Sequence, residues 1–171
     1  MEVSLKEKPW YGYLEEDLRE LLEQAFELLD KVPQWKDGFH DYSFVVFPAA
    51  KAYEGYLKKI FLDKGFISSA DYYGKHFRIG KALNPQLEPR LRSESIYDKI
   101  TTALGGEHYI ADMLWDTWRN CRNLVFHWFP DEKKAINFEE AKARVEKIIS
   151  AIDESYRACK ISIKHEESSP I

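Results

Sequence analysis

Residues 14–32 read LEEDLRELLEQAFELLDKV, and their pattern recurs through most of the chain. Apolar side chains follow one another at spacings of three and four residues, which places them on one face of a helix. Acidic side chains crowd the start of the segment, where the helix dipole favours anions, and Pro33 stops the helix. The pattern predicts an amphipathic helix whose buried stripe comprises Leu14, Leu18, Leu21, Leu22, Phe26, Leu29 and Val32.

A second helix is predicted over about residues 44–64, where the same apolar period returns. Pro48 lies inside the apolar run and lacks the N–H group that a helix interior needs. It therefore implies either a kink or a true helix start near Phe47. Gly65 is a plausible C-terminal stop for this helix.

Three further helices complete the predicted fold, an all-α bundle of four long helices plus one short helix. The bundle forms one domain over residues 1–160, followed by a polar C-terminal tail over 161–171. The three helices are a short one capped by Ser93 or Ser95 and ending near Gly105–Gly106, a long one over about 107–125, and a long one that starts at Asn137 with Glu140 at its third position, as in a capping box.

The composition excludes several classes of protein. The 171-residue chain is 44% apolar and has a net charge of −4, which suits one globular domain and disfavours non-specific binding of duplex DNA. Its two cysteines lack zinc spacing, which argues against a zinc module and a disulfide scaffold. No apolar run reaches the roughly 18 residues that a membrane span needs. Without a secretory signal in the sequence, we expect a cytoplasmic location.

Residues 65–92 form the irregular part of the sequence, punctuated by glycine and proline. Within them, the segment 75–92 holds five basic side chains against the single acid Glu88, a net charge of +4. Two interpretations remain open: a solvated loop, or a basic flap that faces phosphate. The basic residues are Lys75, Arg78, Lys81, Arg90 and Arg92.

The candidate chemistry lies at the end of the fourth predicted helix, where Arg122 and His127 are five positions apart. Such a spacing rotates two side chains about 140° apart on a regular helix, so they converge only if the helix ends or distorts between them. Pro130 favours such an ending. Asn123, one turn before His127, is placed to orient the imidazole.

These residue types suit phosphodiester cleavage, because a guanidinium offers a planar fork to phosphate oxygens and an imidazole moves protons near neutral pH. A structural interpretation is equally open at this point. A histidine at a helix end commonly contacts the last carbonyls, and an arginine there often pairs with a carboxylate. The usual phosphate-loop, dinucleotide, zinc-protease and serine-hydrolase motifs are absent from the sequence.

The run Arg122-Asn123-Leu124-Val125-Phe126-His127 resembles the R-x4–6-H motif of HEPN-domain ribonucleases, including the polar residue after the arginine. The resemblance implies a HEPN-like bundle and a metal-independent endoribonuclease without a cofactor. Attack by the RNA 2′-hydroxyl on the adjacent phosphorus is implied as well. Catalytic roles fall to Arg122, His127 and Asn123, and two copies of the motif face one cleft in a homodimer.

A closer resemblance, over roughly residues 10–160, is to the catalytic C-terminal domain of the RnlA/LsoA (RNase LS) toxins. It implies a catalytic role for Glu54 in the segment AKAYEGYLK, residues 50–58. Glu54 could equally pair with Arg122 or with Lys51. Lys51 stands where a basic side chain is expected, and with Lys75, Arg78 and Lys81 it is a candidate for substrate binding.

The resemblance implies a toxin of a toxin–antitoxin or phage-defence system that acts on RNA. Related toxins that are silenced by modification carry a tyrosine two residues after the histidine, whereas this chain has Phe129. We therefore expect control by a bound antitoxin protein or by another partner rather than by modification of a tyrosine. The alternatives are a non-catalytic HEPN-like module that binds RNA, a nucleotide or a partner, and a purely structural interaction protein. Three tryptophans, Trp115, Trp118 and Trp128, either stack on bases or pack in the core or a dimer.

Overall fold

The computed structural model describes residues 4–128, 130 and 135–167, and in these residues the chain forms α-helices and short 3₁₀ turns without any strand. The predicted all-α bundle is confirmed. None of the helices in these ranges is both long and apolar enough to cross a bilayer. The α-helices are α1 Glu16–Lys31, α2 Ser43–Asp63, α3 Ser69–Tyr73, α4 Ile79–Ala82, α5 Ile96–Ala103, α6 Tyr109–Trp118 and α7 Phe138–Glu167.

Helix α2 is the centre of the bundle, packing against α1 and α7. Two of its tyrosines are fully buried, and their hydroxyl groups form hydrogen bonds with neighbouring helices. The Tyr53 hydroxyl donates to the Leu114 carbonyl of α6 at 3.1 Å. The Tyr56 hydroxyl lies 2.7 Å from Ser155 Oγ on α7. Because a buried hydroxyl without a partner is costly, these bonds fix how α6 and α7 sit against α2.

The ends of α2 decide between the alternatives that Pro48 left open. The helix begins at Ser43 and Pro48 lies inside it, so a start near Phe47 was wrong. The predicted stop at Gly65 is confirmed, since this glycine adopts a φ of 68° that residues with a Cβ rarely take. The Phe66 N–H then donates to the Phe61 carbonyl at 2.8 Å, which closes a Schellman motif.

Helix caps account for the starts of α5 and α7. Ser95 Oγ accepts the Asp98 N–H at 3.1 Å, which selects Ser95 over Ser93 as the cap. At the start of α7, Asn137 and Glu140 exchange hydrogen bonds at 2.8 and 2.9 Å, so the predicted capping box is confirmed. Helix α7 continues to Glu167, past the domain boundary that we placed at residue 160.

The segment that we expected to be irregular contains α3, α4 and a 3₁₀ helix over Pro89–Glu94. A capping box between Ser68 and Asp71 starts α3. Helix α4 lies against the end of α6, where Gly80 meets the ring of Trp118 so closely that an added Cβ would stand 2.1 Å from it. The basic segment is therefore folded against the bundle near the candidate site rather than free in solvent.

Candidate functional site

Helix α6 runs into a π-helical turn, Arg119–Asn123. The Leu124 N–H donates to the Arg119 carbonyl at 2.9 Å, five residues back instead of four. Such turns are rare and occur often at functional sites. The helical segment thus ends between Arg122 and His127. Two side chains five positions apart can converge only if the helix ends or distorts between them, so this requirement is met.

Arg122 is held by an acid on one side and an aromatic ring on the other. Its Nη2 and Nε lie 3.1 and 3.2 Å from Glu54 Oε2. The guanidinium carbon stands 5.7 Å from the centroid of the Trp118 ring, and this ring stacks on Trp115. The two charged side chains are 35% and 37% exposed, so the pair is open to solvent on one face. Of the two partners that we considered for Glu54, the structure selects Arg122.

A pocket of about 580 Å³ lies between the end of α6, α1 and α2. We call it the histidine pocket, and its volume is within the range of ligand sites. His127 is exposed at this pocket, and Lys51 is exposed on α2. The histidine pocket thus brings together four predicted site residues, Lys51, Glu54, Arg122 and His127, from two distant parts of the sequence, together with a lysine that we had not predicted. Its polar lining is Asp17, Lys51, Glu54, Lys58, Arg122 and His127.

Lys58 is the functional candidate that the sequence analysis missed. It follows Glu54 by four residues, and Lys51 precedes Glu54 by three, so all three occupy one face of α2. This spacing was readable in the sequence. Lysines on a helix are usually solvated, so the spacing alone did not mark Lys58 as a site residue. Its position in the lining of the histidine pocket does.

A second pocket, of about 520 Å³, adjoins the first. We call it the tryptophan pocket, and it is lined by Trp115 and Trp118 together with α4. Glu54 and Arg122 line both pockets, so their ion pair stands at the junction. Asn123 lines the tryptophan pocket, whereas His127 lines the histidine pocket. That Asn123 orients the His127 imidazole stays a prediction. The remaining polar lining of the tryptophan pocket is Arg78 and Lys81.

The basic segment carries less free charge than its sequence suggested. Three of its cations pair with acids: Lys81 with Glu94 at 2.8 Å, Arg90 with Glu88 at 2.7 Å and Arg92 with Asp98 at 3.1 Å. Two of those acids lie just beyond residue 92, where our count of charges stopped.

The two other cations of the segment differ in position. Arg78 lines the tryptophan pocket, and its Nη1 donates to the Lys75 carbonyl at 2.8 Å. Lys75 is exposed and lines neither pocket, so it is not brought to the site. Of these two cations, only Arg78 therefore reaches a pocket beside the Glu54–Arg122 pair.

Other residues singled out in the sequence have plain surroundings. Cys121 is buried, and burial raises the pKa of its thiol to about 11. Trp115 and Trp118 are half-buried against the core, whereas Trp128 is 81% exposed. Phe129 lies outside the described residues. In the part of the chain that the structure describes, no three His, Cys, Asp or Glu side chains form a group that could hold a metal ion.

Comparisons of this chain with protein-family models, with curated proteins and with solved structures found no match.

Proposed function

We propose that this protein is a HEPN-type, metal-independent endoribonuclease. The observation that supports the proposal is the histidine pocket, in which Glu54, Arg122 and His127 lie together with two lysines. A cleft that holds a proton-transfer group and several cations suits a polyanion whose cleavage requires proton movement. The sequence motif led to the same residues before their positions were known.

In the proposed reaction, His127 acts as the general base and removes the proton of a ribose 2′-hydroxyl. The freed oxygen attacks the adjacent phosphorus, and the bond to the 5′-oxygen of the next nucleotide breaks as that oxygen takes up a proton from water. His127 then releases its proton to solvent. Arg122 stabilises the negative charge on the phosphoryl oxygens, and Glu54 orients its guanidinium. The products are a 2′,3′-cyclic phosphate and a 5′-hydroxyl end, and DNA is inert because it lacks the attacking hydroxyl.

The proposal includes a homodimer in which two such sites face one cleft, acting in the cytoplasm as a toxin that a cognate antitoxin protein restrains. Exposed aromatic side chains beside the histidine pocket support an interface there. Phe47 is 53% exposed, packs on Phe126 and lines the pocket, and Trp128 is exposed just beyond His127. Exposed apolar clusters of this kind commonly mark protein interfaces.

The decisive experiment incubates purified protein with single-stranded RNA in EDTA and compares Arg122→Ala and His127→Ala with wild type. Removing a group that stabilises the transition state typically costs about 10²–10³ in rate. Matched controls are Arg119→Ala, an exposed arginine of the same π turn that lines neither pocket, and His40→Ala, an exposed histidine. Cleavage at close to the wild-type rate in Arg122→Ala or His127→Ala would refute the proposal.

A second candidate function is a non-catalytic HEPN-like module that binds RNA or a nucleotide. The specific observation in its favour is the Glu54–Arg122 ion pair, because an arginine already bound to a carboxylate is common in structural networks. The same experiment separates the candidates. Wild-type protein that binds RNA and leaves it intact supports the binding module.

A further inference from the structure

A third pocket continues the tryptophan pocket on the side away from Arg122. It has a volume of about 350 Å³. Phe77, Arg78 and Lys81 line both it and the tryptophan pocket. Since Glu54 and Arg122 in turn line the tryptophan and histidine pockets, the three pockets adjoin one another in a row, with the ion pair between the tryptophan and histidine pockets. We call the third pocket the end pocket.

The end pocket has an apolar floor and a polar rim. Ile67, Leu87 and Ile96 supply buried aliphatic surface, and His76 is exposed on the rim. Phe77 adds an aromatic side chain where the end pocket meets the tryptophan pocket. Apolar and aromatic surface beside cationic groups suits a nucleobase with its phosphate, because every base presents a π face and every linkage a negative charge.

The acids of the end pocket are engaged by other groups. Glu94 pairs with Lys81. Asp71 is bound by Ser68, and these hydrogen bonds, helped by the nearby charge of Lys99, hold the pKa of the Asp71 carboxyl below its usual range. Asp71 is therefore a stable carboxylate that takes part in a helix cap.

The cations at the end pocket are held mainly by backbone carbonyls. Lys99 Nζ donates to the Phe66 carbonyl at 2.9 Å, and Arg78 donates to the Lys75 carbonyl. Among the described residues, neither forms an ion pair within 4 Å. A carbonyl orients a cation without neutralising it, so Arg78 presents its charge at the boundary between the two pockets.

We propose that the end pocket is a nucleotide subsite, which rests on the endoribonuclease function proposed above. Arg78 binds a phosphate next to the one that is cleaved, and the end pocket receives the base attached to it. The substrate is then a single strand that extends beyond the cleaved dinucleotide, because a base must leave its stack to enter the end pocket.

The test uses oligonucleotides with a single ribose in an otherwise deoxyribose strand, since only the linkage after the ribose can be cleaved. The strand is lengthened one nucleotide at a time on the 5′ or the 3′ side, and kcat/KM is measured in EDTA. One added nucleotide, on one side only, should raise kcat/KM about 100-fold, near the lower end of what a charged phosphate contact and one stacked base contribute together.

The variant that tests the subsite is Arg78→Ala, in which the gain from the added nucleotide should fall about tenfold, because the phosphate contact is lost while the end pocket can still receive the base. The matched control is Arg90→Ala, which removes an exposed arginine of the same segment that lines none of the three pockets and should keep the full gain. Thermal unfolding checks that both variants are folded.

The outcomes separate this proposal from the function on which it rests. Cleavage of the shortest strand with no gain from lengthening, or with the same gain in Arg78→Ala, overturns the subsite and leaves the ribonuclease standing. If no strand is cleaved, the binding affinity of the same oligonucleotides, measured by fluorescence anisotropy, tests whether the subsite exists. A step in affinity at one added nucleotide that Arg78→Ala reduces about tenfold supports the subsite without catalysis. A smooth rise in affinity with strand length, or an unchanged step in Arg78→Ala, overturns the subsite.

Discussion

A substitution at Gly80 tests whether the basic segment packs against the site, because Gly80 is the point where α4 contacts Trp118. A Cβ at this position would stand 2.1 Å from Cη2 of the Trp118 ring and within 2.8 Å of two more ring atoms. The ring is stacked on Trp115 and lies beside the Arg122 guanidinium, so it cannot move without disturbing its neighbours. We therefore expect Gly80→Ala to destabilise the protein.

The magnitude follows from two opposing effects. Overpacking typically costs about 1–3 kcal/mol. Replacing a helical glycine by alanine recovers about 0.5–1 kcal/mol of helix propensity. Because the added Cβ would lie only 2.1 Å from a ring held by its neighbours, we take the upper part of the overpacking range, about 2–3 kcal/mol. The net loss for Gly80→Ala is then about 1–2.5 kcal/mol, and at about 2–4 °C per kcal/mol for a chain of this size Tm should fall by about 2–10 °C.

Thermal and urea unfolding followed by circular dichroism measure this loss. Gly12→Ala is the control, because no atom lies within 4 Å of a Cβ built at Gly12. In a Trp118→Leu background the clash is gone, so Gly80→Ala should become neutral or stabilising. A Gly80→Ala protein as stable as Gly12→Ala, or equally destabilised in both backgrounds, would refute the reasoning.

Two further predictions concern the buried core. Burial raises the pKa of Cys121 from 9.0 to about 11, so the unfolded chain loses the thiol proton first and stability should fall as the pH rises from about 9 to 11. Cys121→Val should reduce that fall, and urea titrations of both proteins across the range measure it; an unchanged slope contradicts the assignment. Tyr56→Phe removes the buried hydroxyl that contacts Ser155 and should cost about 1–2 kcal/mol. Tyr109→Phe, which loses an exposed contact to Glu154, should cost less than about 0.5 kcal/mol, and equal losses in urea unfolding would contradict the role of burial.

The features predicted well from the sequence are those set by neighbouring residues. The Asn137–Glu140 capping box, the Ser95 cap and the stop at Gly65 each depend on side-chain or backbone chemistry within about five residues. The period of the apolar residues likewise predicts the long helices, because a helix must bury one face in a bundle. The spacing of Arg122 and His127 and the following proline are local as well, and the structure places both residues at one pocket, while their catalytic role stays a prediction.

The features that the sequence did not predict depend on contacts between distant residues. Helix α4 is only four residues long and is positioned by the contact of Gly80 with Trp118, which are 38 positions apart. The partner of Glu54 was open until α2 and the end of α6 were placed side by side. The unpaired positive charge of the basic segment was overestimated, because Lys81 forms an ion pair with Glu94, 13 positions along the chain.

The Glu54–Arg122 pair does not close the site to phosphate. A guanidinium has five N–H groups, and Nε and Nη2 both face the single oxygen Oε2 of Glu54. At least three N–H groups are therefore not used by this carboxylate, and the side chain is 35% exposed. A phosphate can bind them while Glu54 and Trp118 hold the guanidinium in place. In the proposed reaction Glu54 is therefore a positioning residue for Arg122, because an arginine fixed before the substrate arrives loses less side-chain entropy on binding.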